Sequence, residues 1–185
     1  GWLVGDRADD GTPIAREALA ELYEEIKHVS ATIDSLLCRM GALAREDPAY
    51  TRLQTIPGVG PVLAPTLLAK VGHGQQFDSG RDCAAWVGLV PKQNSTGGKT
   101  HLGGISKNGD RTLRTLLIHG ARAVIRWADR HDHAQSRWIK QLVERAGKNK
   151  AAVALANKMM RMIWAVLTQG VEFDMKKAFR PQPAR

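Results

Sequence analysis

Nine apolar residues recur at alternating steps of four and three between residues 15 and 43 of this chain. Over four heptads that spacing is typical of a long helix whose apolar stripe faces a second helix. Thr12 and Pro13 suit the cap and first position of such a helix, and Pro48 would end it. The pattern predicts a coiled-coil helix over residues 12–47, with an amphipathic helix packed on its own protein as the alternative. The seam consists of Ala15, Leu19, Leu22, Ile26, Val29, Ile33, Leu36, Met40 and Leu43.

A second segment joins two apolar stretches through the turn Ile56-Pro-Gly-Val-Gly-Pro. Gly58 and Gly60 tolerate positive φ, and Pro61 suits the first position of a following helix. Amides at the start of that helix would face outward and attract a DNA phosphate. The segment therefore predicts a helix-hairpin-helix with Gly58 and Gly60 at the DNA backbone. A plain turn between two packed helices is the alternative.

The charge of the chain is unevenly distributed. Residues 1–50 hold 5 of the 27 Lys and Arg and 10 of the 18 Asp and Glu, so residues 51–185 carry a net charge of +14. That sign favours a polyanionic partner such as DNA, with a merely basic surface as the alternative. No apolar run approaches the roughly 20 residues of a membrane span and no signal peptide is visible, which predicts a cytoplasmic, nucleoid-associated protein without a membrane partner. Cys38 and Cys83 have neither disulfide nor zinc spacing.

The remaining periodicity predicts helices over residues 61–71, 79–86, 111–128, 135–146 and 150–168, and no run of alternating strands. The predicted fold class is therefore all-α. Ser79 is expected to cap the second of these helices, with Trp86 in the core. The apolar residues expected to face inward from the last helix are Leu155, Met159, Met162, Ile163 and Val166. Pro65 should kink or shorten the first turns of its helix. Residues 88–110 contain six glycines with almost no apolar period, and a long loop inside a compact domain is usually functional. The predicted organisation is a flexible leader (1–11), a coiled-coil helix (12–47), a helical domain (48–170) and a frayed tail (171–185).

Within this glycine-rich loop Ser95 stands just before Gly97 and Gly98. A serine hydroxyl is a weak nucleophile at neutral pH, so it attacks phosphorus only where cations stabilise the added negative charge. Ordinary turn chemistry is the alternative for Ser95, and Ser106 is a rival nucleophile. The cations predicted to surround one phosphate are Lys99, Lys107, Arg111 and Arg114.

The other polar candidates favour structural roles. His131 and His133 resemble a metal pair, but alternate residues at a helix start seldom converge on one ion, so capping or surface positions are expected and no metal site is predicted. His119 lies in an apolar helix and is predicted to be a core histidine. One cationic helix face, either at phosphates or in solvent, consists of Arg122, Arg126 and Arg130.

Five sequence blocks in order along residues 50–170 resemble the C-terminal domain of the insertion-sequence-110/116/902 transposases, and Lys150-Ala-Ala-Val-Ala-Leu-Ala-Asn-Lys is similar too. Together the blocks are specific to this family, although the turn at Ile56-Pro-Gly-Val-Gly-Pro alone is not. The five are Thr55-Ile-Pro-Gly-Val-Gly-Pro, Trp86-Val-Gly-Leu-Val-Pro, Asn94-Ser-Thr-Gly-Gly-Lys, Leu102-Gly-Gly-Ile-Ser-Lys-Asn-Gly-Asp-Arg and Leu116-Leu-Ile-His-Gly-Ala-Arg.

The resemblance implies a bacterial DNA recombinase in which Ser95 attacks a DNA phosphodiester and forms a phosphoserine link that conserves the bond energy. It also implies an N-terminal RuvC-like domain with an Asp-Glu-Asp-Asp site for Mg²⁺, a structured guide RNA, and homo-oligomers assembled through a coiled coil. This chain is expected to need no cofactor of its own. Asp6, Asp9 and Asp10 are too closely spaced for that tetrad, so the chain is expected to be a fragment that binds nucleic acid and hardly catalyses alone.

Two other functions stay open at this point. One is a non-catalytic helix-hairpin-helix module that only holds DNA. The other is an assembly module, held by the coiled coil, whose charge serves RNA. Replacement of Ser95 would distinguish the transposase from the module that only holds DNA, because only the transposase needs the hydroxyl. Competition between DNA and structured RNA would distinguish the transposase from the assembly module that binds RNA.

Overall fold

The computed structural model describes residues 12–96 and 99–180, and the backbone alone of residues 94–96, 99, 100 and 102. Residues 1–11 of the predicted leader, Gly97, Gly98 and residues 181–185 lie outside the described residues. The predicted all-α class is confirmed, since eight helices and one two-stranded sheet account for the regular structure of the described ranges. The elements are α1 (Pro13–Ala44), α2 (Pro48–Gln54), α3 (Leu63–Val71), α4 (Gly80–Trp86), β1 (Pro91–Thr96), β2 (Lys99–Ile105), α5 (Arg111–Trp127), a 3-10 turn (Ala128–Arg130), α6 (Ala134–Ala146), α7 (Lys148–Gln169) and α8 (Met175–Ala178).

The chain divides within α1 into one compact unit that ends at Met40 and another that begins at Gly41. The predicted helix start is confirmed, because the Thr12 hydroxyl accepts the N–H of Ala15 at 3.3 Å and Pro13 is the first helical residue. The eight larger side chains of the seam are 38–70% exposed. Helix α1 already ends at Ala44, so Pro48 does not itself end it and is instead the first residue of α2.

The core of the second unit is built around α7, which contacts α2, α4, α5 and α6. The inward face predicted for this helix is confirmed. Helix α7 is long and apolar enough to cross a membrane, but more than half of its most apolar stretch is buried within the protein, as expected of a core helix. Its predicted core residues, all buried, are Leu155, Met159, Met162, Ile163 and Val166.

The short helices differ in detail from the sequence prediction. Ser79 caps α4 as predicted, by accepting the N–H of Asp82 at 3.3 Å, but Trp86 is 40% exposed and is not a core residue. Helix α3 begins at Leu63, two residues later than predicted. Pro65 therefore lies in its first turn, where amides have no acceptor within the helix and a missing N–H costs little.

Two further regions have structure that the sequence pattern did not predict. Residues 91–96 and 99–105 form the antiparallel strands β1 and β2 inside the segment expected to be a loop. Residues 175–178 form α8 within the predicted tail, where Phe179 is buried against Trp138 with ring centroids 5.6 Å apart. The strands are polar and glycine-rich, so their backbone ladder leaves no alternating apolar pattern for sequence reasoning to detect.

Candidate functional site

Ser95 lies on β1 next to the connection between the two strands. The backbone register pairs Ser95 with Thr100 and Thr96 with Lys99. The ladder between Thr96 and Lys99 is the last described pair of this antiparallel β-hairpin. The β-hairpin thus carries Ser95 at its distal end, one ladder position from Lys99.

The base of the β-hairpin is fastened by backbone contacts. The N–H of Ser106 donates to the carbonyl of Val90 at 2.8 Å, and the N–H of Lys107 donates to Gly88 at 3.1 Å. Gly88 has a φ of 79° and packs directly against the backbone of Asn108. A side chain at Gly88 would collide with that backbone, so the glycine lets the end of α4 and the start of α5 lie together.

The start of α5 is held to two other elements at the same junction. The Asp110 carboxylate accepts the N–H of Leu113 at 2.8 Å as a helix cap and pairs with the Lys70 ammonium of α3. The hydrogen bond from Lys70, followed by that from Leu113, lowers the pKa of Asp110. The guanidinium of Arg114 donates to the carbonyl of Val87 at 2.9 Å. These bonds connect α3, the end of α4 and α5 beneath the β-hairpin.

The predicted cations divide between the two ends of the β-hairpin. Lys107, with a φ of 58°, and Arg111 are exposed at the base, where Arg114 is half-buried. Ser95 lies five residues along the chain from Val90, which in an extended strand corresponds to about 16 Å. Only Lys99 is next to Ser95 in the ladder. The four cations are therefore spread along the length of the β-hairpin, whereas the sequence prediction placed them around one phosphate.

The helical turn between α2 and α3 is packed against the core at Gly58. Gly58 has a φ of 90°, and a Cβ there would lie 2.9 Å from the carbonyl oxygen of Gly120 and from side-chain atoms of Val124 and Met159. Gly60 does not share the positive φ that was predicted for both glycines, and a Cβ there would meet no atom within 4 Å. Gly58 therefore allows the turn to pack closely on α5 and α7, whereas Gly60 has open space beside it.

The secondary candidates take mostly structural positions. His133 caps α6 by accepting the N–H of Ser136 at 3.2 Å, and His131 stacks on its ring, so the predicted capping is confirmed for one of the pair. His119 is exposed on α5, and the prediction of a core histidine is wrong. Burial raises the pKa of Cys83 to about 12, which leaves its thiol protonated and unreactive at neutral pH. Within the described ranges, no three His, Cys, Asp or Glu residues form a group that could hold a metal ion.

All three arginines of the predicted cationic face are exposed, Arg122 and Arg126 on α5 and Arg130 at the end of the 3-10 turn that follows it. Arg130 lies 4.2 Å from the ring centroid of Trp127, a cation–π contact that neither charge periodicity nor spacing indicated. The structure also gathers cations that sequence reasoning did not single out, Lys158, Arg161, Lys177 and Arg180, along one groove. Their only sequence signal is the three-residue spacing of the first two on α7.

Comparison with known proteins places this arrangement in a family. Residues 50–137 match the family described as transposase IS116/IS110/IS902, a range that contains the helical turn, the β-hairpin and α5. The chain is 48% identical over 153 residues to a probable family 20 transposase of Pseudomonas aeruginosa, covering 83% of this chain and 45% of the relative.

Two further relatives are similar over comparable lengths. The transposase for insertion sequence element IS1111A of Coxiella burnetii is 44% identical over 167 residues, which cover 90% of this chain and 46% of that protein. A pilin gene-inverting protein of Moraxella bovis is 30% identical over 160 residues, covering 83% and 48% respectively. The chain spans about half the length of the curated relatives it matches. By the domain that residues 50–137 match, this chain belongs to the transposase IS116/IS110/IS902 family.

Proposed function

We propose that this chain is the DNA-binding, nucleophile-bearing part of a DNA transposase, with Ser95 as the nucleophile. The observation that carries the proposal is the position of Ser95 next to the end of a β-hairpin whose base is fastened to α3, α4 and α5. A nucleophile carried on a fastened support keeps its geometry toward the substrate, as catalysis requires. The family membership of residues 50–137 supports transposition as the reaction.

The proposed reaction is a transesterification at a DNA phosphodiester. The Ser95 Oγ forms a bond to phosphorus and loses its proton, while one bridging P–O bond breaks and the leaving sugar oxygen takes up a proton. The number of ester bonds is unchanged, so the phosphoserine link stores the energy needed to rejoin a new strand. Attack by a second sugar hydroxyl reverses the step and releases Ser95.

The cations of the β-hairpin would act on the DNA backbone at different points. Lys99 is the charge nearest to Ser95 along the ladder and is proposed to stabilise the negative charge at the attacked phosphorus. Lys107 and Arg111 are proposed to hold phosphates nearer the base. Arg114 also donates to Val87, so its proposed role combines support of the junction with attraction of DNA. We also propose that the turn containing Gly58 and Gly60 brings backbone amides to the DNA.

Three further properties follow from the resemblance and are proposals for the complete transposase. They are Mg²⁺ chemistry in another domain, recognition of a structured guide RNA, and assembly of several copies. The described residues contain no group fitting a metal site, so no step of the proposed reaction is assigned to Mg²⁺ through residues of this chain. A non-catalytic module that only binds nucleic acid is the competing function, and the exposed basic surface is compatible with it.

Binding of DNA by the chain itself is the first expected result. Because the attraction is largely to phosphates, the affinity for a duplex should fall steeply with salt, and Arg111→Ala should reduce the slope of log K against log salt by about one. The loss should be similar for unrelated sequences. Fluorescence anisotropy with labelled duplexes between low and physiological salt measures both quantities.

A matched control for that experiment is Arg145→Ala, which removes an equally exposed arginine from α6. Arg145 lies outside the β-hairpin junction, so its removal should leave the slope almost unchanged. Equal losses in the two variants would contradict a phosphate contact at Arg111. A wild-type chain without salt-dependent affinity would contradict the proposed DNA-binding function.

Association through the α1 seam is a second expected result. Ile26 and Ile33 are 62% and 50% exposed, which is unfavourable for large apolar side chains unless another helix covers them. The double variant Ile26→Lys/Ile33→Lys should raise the dissociation constant of the oligomer at least about a hundredfold, since it places charges in the apolar contact. Sedimentation equilibrium over a range of protein concentrations measures the change.

The control for the seam adds the same charge elsewhere on α1. Ala20→Lys/Ala31→Lys alters exposed positions outside the heptad seam and should leave association intact. A wild-type chain that remains monomeric at high concentration would contradict the proposed coiled coil. Dissociation by both double variants would show that charge, and not the seam, controls assembly.

A further inference from the structure

A groove of about 1000 Å³ lies between α6, α7 and the segment formed by α8 and the two residues after it, and its lining contains none of the residues named in the proposed reaction. Its lining contains five cations and no carboxylate. Arg137 is partly engaged, since it donates to the carbonyl of Asp132 at 2.9 Å. Within the described ranges no carboxylate pairs with the other four. The five are Arg137, Lys158, Arg161, Lys177 and Arg180.

Acidic groups are present on one neighbouring side of the groove. Glu172 and Asp174 line the adjoining cavity, which shares Lys158, Arg161 and Lys177 with the groove. The carboxylate of Asp174 accepts the backbone N–H groups of Lys176 and Lys177 and caps α8. The charge of the groove itself therefore remains positive, and Asp174 is already occupied by a structural role.

The floor of the groove is aromatic. Lys158 is half-buried, with its ammonium 4.6 Å from the ring centroid of Phe179 and 5.5 Å from that of Trp138. Burial and, to a smaller extent, the charge of Arg161 lower the pKa of Lys158. A partly desolvated cation beside a second cation is unfavourable, and an anion placed between them would relieve the repulsion.

One end of the groove is connected to the base of the β-hairpin. Asn157 lines the groove, and its side-chain amide donates to the carbonyl of Leu89 at 3.1 Å. Leu89 lies two residues before β1, the strand that carries Ser95. Asn157 therefore joins the lining of the groove to the segment that enters β1.

We propose that this groove binds the phosphodiester backbone of a nucleic-acid strand as a second contact surface, separate from Lys107 and Arg111. The inference extends the proposed function and depends on it for the identity of the polyanion. A run of cations along one groove is the arrangement by which proteins hold the phosphates of a nucleic-acid backbone. The groove would hold the strand while the β-hairpin acts on it.

The test is charge reversal at two exposed positions, Arg161→Glu together with Lys177→Glu. We expect the affinity of the 185-residue chain for nucleic acid to fall at least about tenfold at low salt, and the salt slope to fall by about two. The probes are a labelled DNA duplex, a labelled single strand and a structured RNA hairpin, each titrated separately. The probe that loses most affinity identifies the form of backbone held in the groove.

The matched control is Arg145→Glu with Lys150→Glu, which makes the same change of charge on exposed residues of α6 and α7 outside the groove. Thermal unfolding of all variants checks that the fold is retained. Equal loss in both double variants, or no loss with any probe, would overturn the groove while leaving DNA binding by the wild type intact. Failure of the wild type to bind any probe would instead refute the proposed function itself.

Discussion

Ser95→Ala in a complete transposase of this family is expected to lower strand exchange at least about a thousandfold and to abolish the covalent protein–DNA adduct. Alanine lacks the oxygen that attacks phosphorus, so residue 95 can no longer form the ester bond. Denaturing electrophoresis of labelled DNA after incubation detects the adduct, and a strand-transfer assay measures the rate. DNA affinity of the 185-residue chain should stay nearly unchanged, because the substitution removes no charge.

Ser106→Ala is the matched control for this experiment. Ser106 lies at the opposite end of the β-hairpin, and the contact that it makes to Val90 uses its backbone N–H, which alanine retains. We therefore expect Ser106→Ala to keep both the adduct and the exchange activity. An adduct that persists in Ser95→Ala and disappears in Ser106→Ala would move the proposed nucleophile to Ser106. Full activity in both variants would leave the non-catalytic binding module as the better function.

Gly58→Ala is expected to destabilise the second unit by about 2–5 kcal/mol. A φ of 90° is strained for any residue with a side chain, by roughly 1–3 kcal/mol, and an added methyl group in a packed site costs about as much again. The added carbon would lie 2.9 Å from Gly120 O, a backbone atom that cannot move independently of α5. Urea unfolding followed by circular dichroism measures the loss.

Two other glycine substitutions separate the causes of that loss. Gly60→Ala should change stability by less than about 1 kcal/mol, because its φ is not positive and the space beside it is open. Gly120→Ala carries no strain of φ but brings its Cβ against the carbonyl of Gly58, so it should destabilise by packing alone. Similar effects of Gly58→Ala and Gly60→Ala would contradict the packing of the turn. Loss of DNA binding in Gly58→Ala is then a consequence of unfolding and does not identify a phosphate contact.

The helices were largely predictable because their signals are local. Asp110, Ser79 and Thr12 each accept an amide two or three residues into a helix, so the cap and its target are close in the sequence. The inward face of α7 was predictable for a similar reason, since its apolar residues repeat with the period of a helix turn. Its central position was not, because that depends on which other helices contact it.

The β-hairpin was not predictable from periodicity. Its strands are held by ladder hydrogen bonds between residues 91–96 and 99–105, and neither strand has the apolar alternation by which a buried face is recognised. The glycines at 88 and 109 were visible in the sequence. Their structural role was not visible, because the backbones that they approach, at Asn108 and Trp86, lie about twenty residues away in the chain.

The candidate site shows the same division. Ser95 and its nearest cation, Lys99, were singled out from residue type and spacing, and the ladder places their backbones one position apart. The distance between Lys99 and the group Lys107, Arg111 and Arg114 depends on the length of β2, which the spacing of these residues in the sequence did not indicate. The groove cations come from α6, α7 and the segment around α8, and the packing of these elements on one another brings them together.

The sequence by itself determined the helical class, the long α1 helix, most helix boundaries and the membership of residues 50–137 in a transposase family. These properties depend on residues within one or two helical turns, or on the order of short blocks. Only the tertiary structure decided that Gly58 packs on Gly120, that a β-hairpin carries Ser95, and that Lys158 and Arg161 share a groove with Lys177 and Arg180. The physical reason is that each of these depends on contacts between residues far apart in the chain, whose approach is set by core packing.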